Sequence, residues 1–150
     1  MYQYKECGLS NVKLLSGYKI NETPYGKSIT ITDVQGLHKS IGMELVSKAG
    51  LLSAEEVRFL RKELGLSQKL LAQTLSVAEI TVRSWEAGKA KISGPADRLL
   101  RVLYKEFADP NSLARELVEQ LAKLDSQVQR SRKQLKFEVA GNAWVRQAVV

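Results

Sequence analysis

Leu60-Arg-Lys-Glu-Leu-Gly-Leu-Ser-Gln-Lys-Leu-Leu-Ala-Gln-Thr-Leu-Ser-Val-Ala-Glu-Ile-Thr-Val-Arg-Ser-Trp-Glu86-Ala-Gly88 is the stretch that decides the fold. Ser67 is a residue type that caps helix N-termini, and Leu70, Leu71 and Leu75 follow it at helical spacing. A second apolar run, Val77, Ile80, Val82 and Trp85, stops near Gly88. The spacing therefore predicts two helices of about eight to ten residues meeting across a short turn. Ala72 is the small residue where they approach, and Leu71, Leu75, Val77, Val82 and Trp85 fill the space between them. Upstream, Ser53-Ala54-Glu55-Glu56 spells a capping box, with Ser53 at the N-cap and Glu56 reaching back from the third helical position. Val57, Leu60 and Leu64 make the stripe of that helix, which Gly65 stops. Downstream, Pro95 opens a further helix carrying Leu99, Leu100, Val102 and Leu103.

The signals differ on either side of this helical segment, which spans residues 51–109. Residues 1–50 are dense in punctuation, with Gly8, Gly17, Pro24, Gly26, Gly36 and Gly42. Tyr2/Tyr4, Val12/Leu14 and Ile29/Ile31 alternate as short strands do, and Thr23-Pro24-Tyr25-Gly26 reads as a β-turn. After Gly36 the period changes: Leu37, Ile41 and Leu45 are four apart, which predicts a helix ending at Gly50 in a left-handed cap. Residues 110–150 open with Asp109-Pro110, which resembles an N-cap followed by Pro. Leu113, Leu117, Leu121, Leu124 and Val128 then mark a long amphipathic helix, whose stripe reads as core or as a seam between two chains. Arg130, Arg132, Lys133 and Lys136 form a basic run, read as a solvated helix end or as extra phosphate contacts. Leu135, Phe137 and Val139 alternate before the turn signal Gly141-Asn142, so the end reads as a β-hairpin. The fold class is α+β: a small N-terminal α+β unit, a five-helix domain, and a long helix with a hairpin.

Composition narrows the chemistry. The chain has 150 residues, 23 basic and 16 acidic, for a net charge of +7 that suits a polyanionic partner. Within residues 51–109 the balance is ten basic to eight acidic, so attraction there depends on placement rather than on total charge. One cysteine, Cys7, and one histidine, His38, are too few for a Cys/His zinc cage within one chain. They also leave little for nucleophilic catalysis, and no paired carboxylates or phosphate-cradling Gly motif stand in a recognisable frame. No catalytic, metal or cofactor site is expected, and the chain does not read as an enzyme. No apolar run is long enough to span a bilayer and no secretory signal follows Met1, so a cytoplasmic, nucleoid-associated location is expected.

The central stretch resembles the Cro/phage-repressor (Xre) family of helix-turn-helix proteins. The pattern appears as Leu66-Ser67-Gln68, Leu71-Ala72, Ile80-Thr81-Val82, Trp85-Glu86 and Gly88. The resemblance implies that the second helix of the pair enters the major groove of double-stranded DNA, which admits one helix. It assigns Gln68 to a phosphate, and Ala78, Glu79, Ile80, Arg83 and Ser84 to the reading face. Arg83 can take guanine O6/N7, Glu79 can accept from cytosine N4, and Ala78 or Ile80 can touch a thymine methyl. Lys89 and Lys91, just beyond, are expected phosphate contacts. The family usually has Gly in the turn and Ser or Thr opening the reading helix, where this chain has Ser76 and Ala78. Ala78 has no capping side chain, so the cap is expected to move to Ser76 with Glu79 at the third position, starting the helix earlier.

The order of parts over residues 1–105 resembles that of MqsA/YgiT-type antitoxins, in which an N-terminal unit grips a toxin and a helix-turn-helix dimer binds the promoter. Val34-Gln35-Gly36-Leu37-His38 resembles the segment leading to that family's second metal pair. Only Cys7 remains near the first pair, and Lys39, Ser40 and Ile41 stand around the second, so the zinc is lost. The resemblance implies a dimeric repressor of its own operon with a toxin as partner. A stand-alone regulator without a toxin, and a protein–protein adaptor that keeps the helix-turn-helix for packing, are the alternatives.

Overall fold

In the computed structural model of the chain, residues 1–111 and 135–147 are described, with positions 113, 116 and 120 between them. Most of the amphipathic stripe expected over Leu113–Val128, and the basic run up to Lys133, lie outside the described residues. The fold is α+β. Strands β1 (Tyr2–Gln3) and β2 (Lys13–Leu14) pair antiparallel, as do β3 (Tyr18–Thr23) and β4 (Gly26–Ile31). Helices α1 (Val34–Ser47), α2 (Ala54–Glu63), α3 (Gln68–Leu75), α4 (Glu79–Glu86) and α5 (Gly94–Ala108) follow, and then β5 (Phe137–Ala140) and β6 (Ala143–Arg146). The β3–β4 register runs from Tyr18 opposite Ile31 to Thr23 opposite Gly26, which leaves Pro24-Tyr25 as the turn read from the sequence. The β5–β6 hairpin turns at Gly141-Asn142, also as expected, with Val139 opposite Trp144.

One cluster of buried side chains joins these helices. Val57, Leu60, Leu64, Leu71, Val82 and Leu100 are its least exposed members, and Leu9 and Leu45 of the first fifty residues pack into the same cluster. Four helices thus come from the segment after Leu51, and α1 completes a set of five by packing on α2 and α5. The close approach of α1 to α5 requires Gly42. A β-carbon built there would lie 2.1 Å from the Tyr104 hydroxyl oxygen, so no larger residue fits without displacing the Tyr104 ring.

Two helix boundaries differ from expectation. Helix α1 starts before Gly36, because the Asp33 carboxylate accepts from the Gly36 amide at 3.1 Å and caps the helix from there. It also ends at Ser47 rather than Gly50, with Lys48 already extended. The reason is Arg101 of α5. Its guanidinium donates to the carbonyls of Lys48 (2.6 Å) and Gly50, and more weakly to Val46 (3.5 Å), drawing the chain out of the helix. Asp97, one turn back on α5, pairs with Arg101 Nε at 2.8 Å and accepts from the Leu52 amide at 2.7 Å. The 46–52 linker is therefore held at several points by two side chains of a single helix.

The α3–α4 turn supplies the third correction. Ser76 does not cap α4. It closes α3 in a left-handed conformation (φ 57°), and the next amide, Val77, bonds back to the Ala72 carbonyl at 2.9 Å. Ser76 is spent on closing α3 and stands two residues ahead of the α4 N-cap, too far back to serve there. Ala78 takes the extended N-cap position, with no side-chain cap, and α4 starts at Glu79. Both departures from the family pattern thus carry a local cost. Ser76→Gly is expected to raise stability by about 1 kcal/mol by removing the left-handed penalty on a β-carbon. Ala78→Ser is expected to add about 1 kcal/mol by accepting from an unpaired amide of α4. Urea denaturation of the two single variants and the double variant checks both.

Candidate nucleic-acid interface

Helix α4 has a buried and an open side. Val82 and Trp85 point inward against α2 and α3, and Leu71, Ala72 and Leu75 of α3 pack from the other side. The open side carries Ile80, which is 69% exposed, with Ala78 and Arg83 exposed and Glu79 and Ser84 partly so. A large apolar side chain left this open on a helix whose opposite face is fully packed is available for contact. No described residue covers that face. Arg83 and Glu79 lie one turn apart and pair at 2.8 Å, so the two expected base-reading groups neutralise each other in the free protein. An exposed pair of this kind is worth only a few tenths of a kcal/mol, so a duplex can separate it at little cost.

The ends of α4 are fixed by different means. At its C-terminus Gly88 is left-handed (φ 75°), and the Lys89 amide bonds to the Ser84 carbonyl at 3.0 Å. That turn places Lys89 and Lys91 on the exposed surface just past the helix, and neither makes an ion pair among the described residues. They border a depression of about 670 Å³ between Trp85 and the start of α2 at Ser53 and Ala54.

Beneath the open face lies a buried polar cluster that the sequence did not single out. Glu86 is 3% exposed, and both its carboxylate oxygens are bound by Arg61, at 2.7 and 2.8 Å. Arg58 Nη2 donates to the Glu86 backbone carbonyl at 2.6 Å. Gln68, expected at a phosphate, donates to Glu86 Oε1 at 3.3 Å and is half-buried. Its amide is thus tied to the cluster that joins α2, α3 and α4. The local signal was the acid Glu86 at the last position of a helix, where the dipole disfavours it unless cations lie close.

Residues 57–96 match the family described as Helix-turn-helix. This segment is similar to Cro/C1-type helix-turn-helix domains. The match covers α2 to the start of α5, including the turn at Ser76-Val77 and the buried Glu86. A helix-turn-helix of this kind supports a DNA-binding transcriptional regulator. Neither the curated proteins nor the solved structures give a match. Among the described residues no helix is long and apolar enough to cross a membrane.

Cys7 and His38 have structural partners. The Cys7 thiol is half-buried and donates to the Tyr4 carbonyl at 3.2 Å; burial pushes its pKa up, away from a reactive thiolate. His38 sits between the Tyr4 hydroxyl (2.8 Å from Nε2) and Glu63 (2.7 Å from Nδ1), and its ring lies against Phe59. These contacts join the segment just after β1 to α1 and the end of α2.

Proposed function

We propose that the protein is a sequence-specific repressor that binds its own promoter as a homodimer and acts as the antitoxin of a toxin–antitoxin pair. The observation that carries the DNA-binding part is the open face of α4, with Ile80 and Arg83 exposed opposite a fully packed inner side. Eight helical residues reach about 12 Å, or roughly four base-pair steps, which is short for an operator. Two copies, with reading helices about 34 Å apart, double the sequence read and match a near-palindrome. A second copy has an apolar stripe to meet on α5, where Leu99 and Val102 are 45% and 58% exposed one turn apart. Glu79, Ile80, Arg83 and Ser84 then face base edges, and Lys89 and Lys91 face phosphates.

The toxin reading rests on the order of parts and on the surface of the first fifty residues. The β3–β4 register puts Tyr18, Ile20, Ile29 and Ile31 on one face of a two-stranded hairpin, with Ile20 50% exposed. That face suits a protein partner. A stand-alone regulator is the second reading. It is favoured by the residues at the lost metal positions and by the bonds that tie Tyr4 and His38 to Glu63 of the helix-turn-helix. Co-purification from the native operon with mass spectrometry separates the two: a stoichiometric small protein supports the antitoxin, and its absence supports the stand-alone regulator.

Gel shifts with the upstream DNA at low salt test the regulator itself. Wild-type protein is expected to prefer that fragment to random DNA and to release it steeply as salt rises. Arg83→Ala is expected to cost about 1–3 kcal/mol in promoter affinity and to relax one base position. Equal affinity for promoter and random DNA overturns the proposal.

A further inference from the structure

The junction between α1, the end of α2 and the end of α5 holds a cavity of about 420 Å³ that the DNA-binding reading does not use. Its size falls within the range of small-molecule sites. Val34, Phe107 and Ala108 give it apolar walls, and His38, Glu63 and Tyr104 give it a polar floor. Tyr104 is 2% exposed as a residue, and its hydroxyl makes no hydrogen bond among the described residues; it is not one of their buried unpaired atoms, so it is open to the cavity and to water. A hydroxyl that water reaches in the free protein can exchange that water for a polar group of a ligand. Glu63 is similar: Oε1 is taken by His38, and Oε2 makes no hydrogen bond among the described residues. Burial first, and then the charge of Glu63, push the Tyr104 pKa up, which keeps its proton available for donation. His38 is held in place by the Tyr4 hydroxyl, so the Glu63 carboxylate is orientated before anything binds.

Both signs of charge border the space. Glu63 offers a carboxylate within it, and Lys39, exposed and without an ion pair among the described residues, stands on its wall. An amine alone would meet Lys39, and an acid alone would meet Glu63. We propose that this cavity binds a small zwitterion of the amino-acid kind with an apolar side chain. Its ammonium group lies on Glu63 and its carboxylate on Lys39, with the Tyr104 hydroxyl satisfied by one of these polar groups. Its apolar part lies against Val34, Phe107 and Ala108. The proposal does not depend on DNA binding.

The test compares three probes of one shape, L-phenylalanine, phenethylamine and hydrocinnamate, titrated into the full chain and followed by amide chemical shifts. L-phenylalanine is expected to bind more tightly than either singly charged analogue, with shifts centred on Gln35, Lys39 and Ala108. Glu63→Gln is expected to weaken it about ten- to hundredfold, and Tyr104→Phe about three- to tenfold. Lys39→Ala, an exposed change that leaves the fold alone, is expected to abolish the preference for the zwitterion over phenethylamine. Arg83→Ala, on the α4 face, leaves binding unchanged. Failure of all three probes to saturate up to their solubility limits overturns the proposal. So does a binding order in which either singly charged probe equals L-phenylalanine, or an unchanged affinity in Lys39→Ala.

Discussion

Replacing Glu86 with alanine is expected to lower the unfolding free energy by about 3–5 kcal/mol, read as a fall in the urea midpoint at constant slope. Glu86 is 3% exposed and Arg61 13%, so the substitution strands a guanidinium away from water with its two carboxylate acceptors gone. The Gln68 amide loses its acceptor at the same time. Against a usual domain stability of about 5–15 kcal/mol, that loss leaves a sizeable unfolded fraction at ordinary temperature. DNA binding is then lost through the scaffold, although Glu86 touches no base.

The partners of Glu86 are expected to rank by burial. Arg61→Ala approaches the cost of Glu86→Ala, because it leaves the carboxylate unpaired in the interior. Arg58→Ala costs far less: its side chain is 40% exposed and its Nε lies 3.7 Å from the carboxylate, outside hydrogen-bond range. A double replacement, Arg61→Met with Glu86→Leu, is expected to recover most of the loss, since an apolar pair of similar volume avoids the desolvation of both charges. If Glu86→Ala unfolds within 1 kcal/mol of wild type, the cluster is not what holds α4 against α2.

Reading α2, α3 and α4 from the sequence succeeded because each is a local device. Ser53 with Glu56, and Ser67 ahead of Leu70, Leu71 and Leu75, form caps and stripes within a turn or two of chain. The Pro24-Tyr25 and Gly141-Asn142 turns are local too. The misreadings arose where a local rule met a distant partner. Gly50 has the residue type of a helix cap, but Arg101, about fifty positions on, binds the Lys48 and Gly50 carbonyls and holds this stretch outside the helix. Ser76 has the residue type of an N-cap, but its backbone is committed to ending the helix before it. The exposure of Ala78, Ile80 and Arg83 was legible because a helix with one apolar side must turn the other outward. The Glu86 cluster and the Tyr4–His38–Glu63 chain were not, because periodicity says nothing about which polar groups meet across 25 or more residues.

The linker clamp yields the second large effect. Arg101→Met is expected to destabilise the chain by about 3–5 kcal/mol, the cost of leaving one member of a buried ion pair alone. Asp97 would keep the Leu52 amide but lose its cation, and the side chains of the pair are only 5% and 15% exposed. The carbonyls of Lys48 and Gly50 would lose their donor as well. Arg101→Lys is expected to recover only part of this. An ammonium can pair with Asp97, but it lacks the fork that reaches a carboxylate and several carbonyls at once. The two variants also separate stability from position. If the clamp acts locally, hydrogen exchange in Arg101→Lys rises first at residues 46–52, while Leu60, Leu71 and Val82 keep the protection of the global transition. If exchange instead rises uniformly across α2, α3 and α4, then the N-terminal unit and the helix-turn-helix unfold as one body, and α1 is as much a part of the DNA-binding fold as α5.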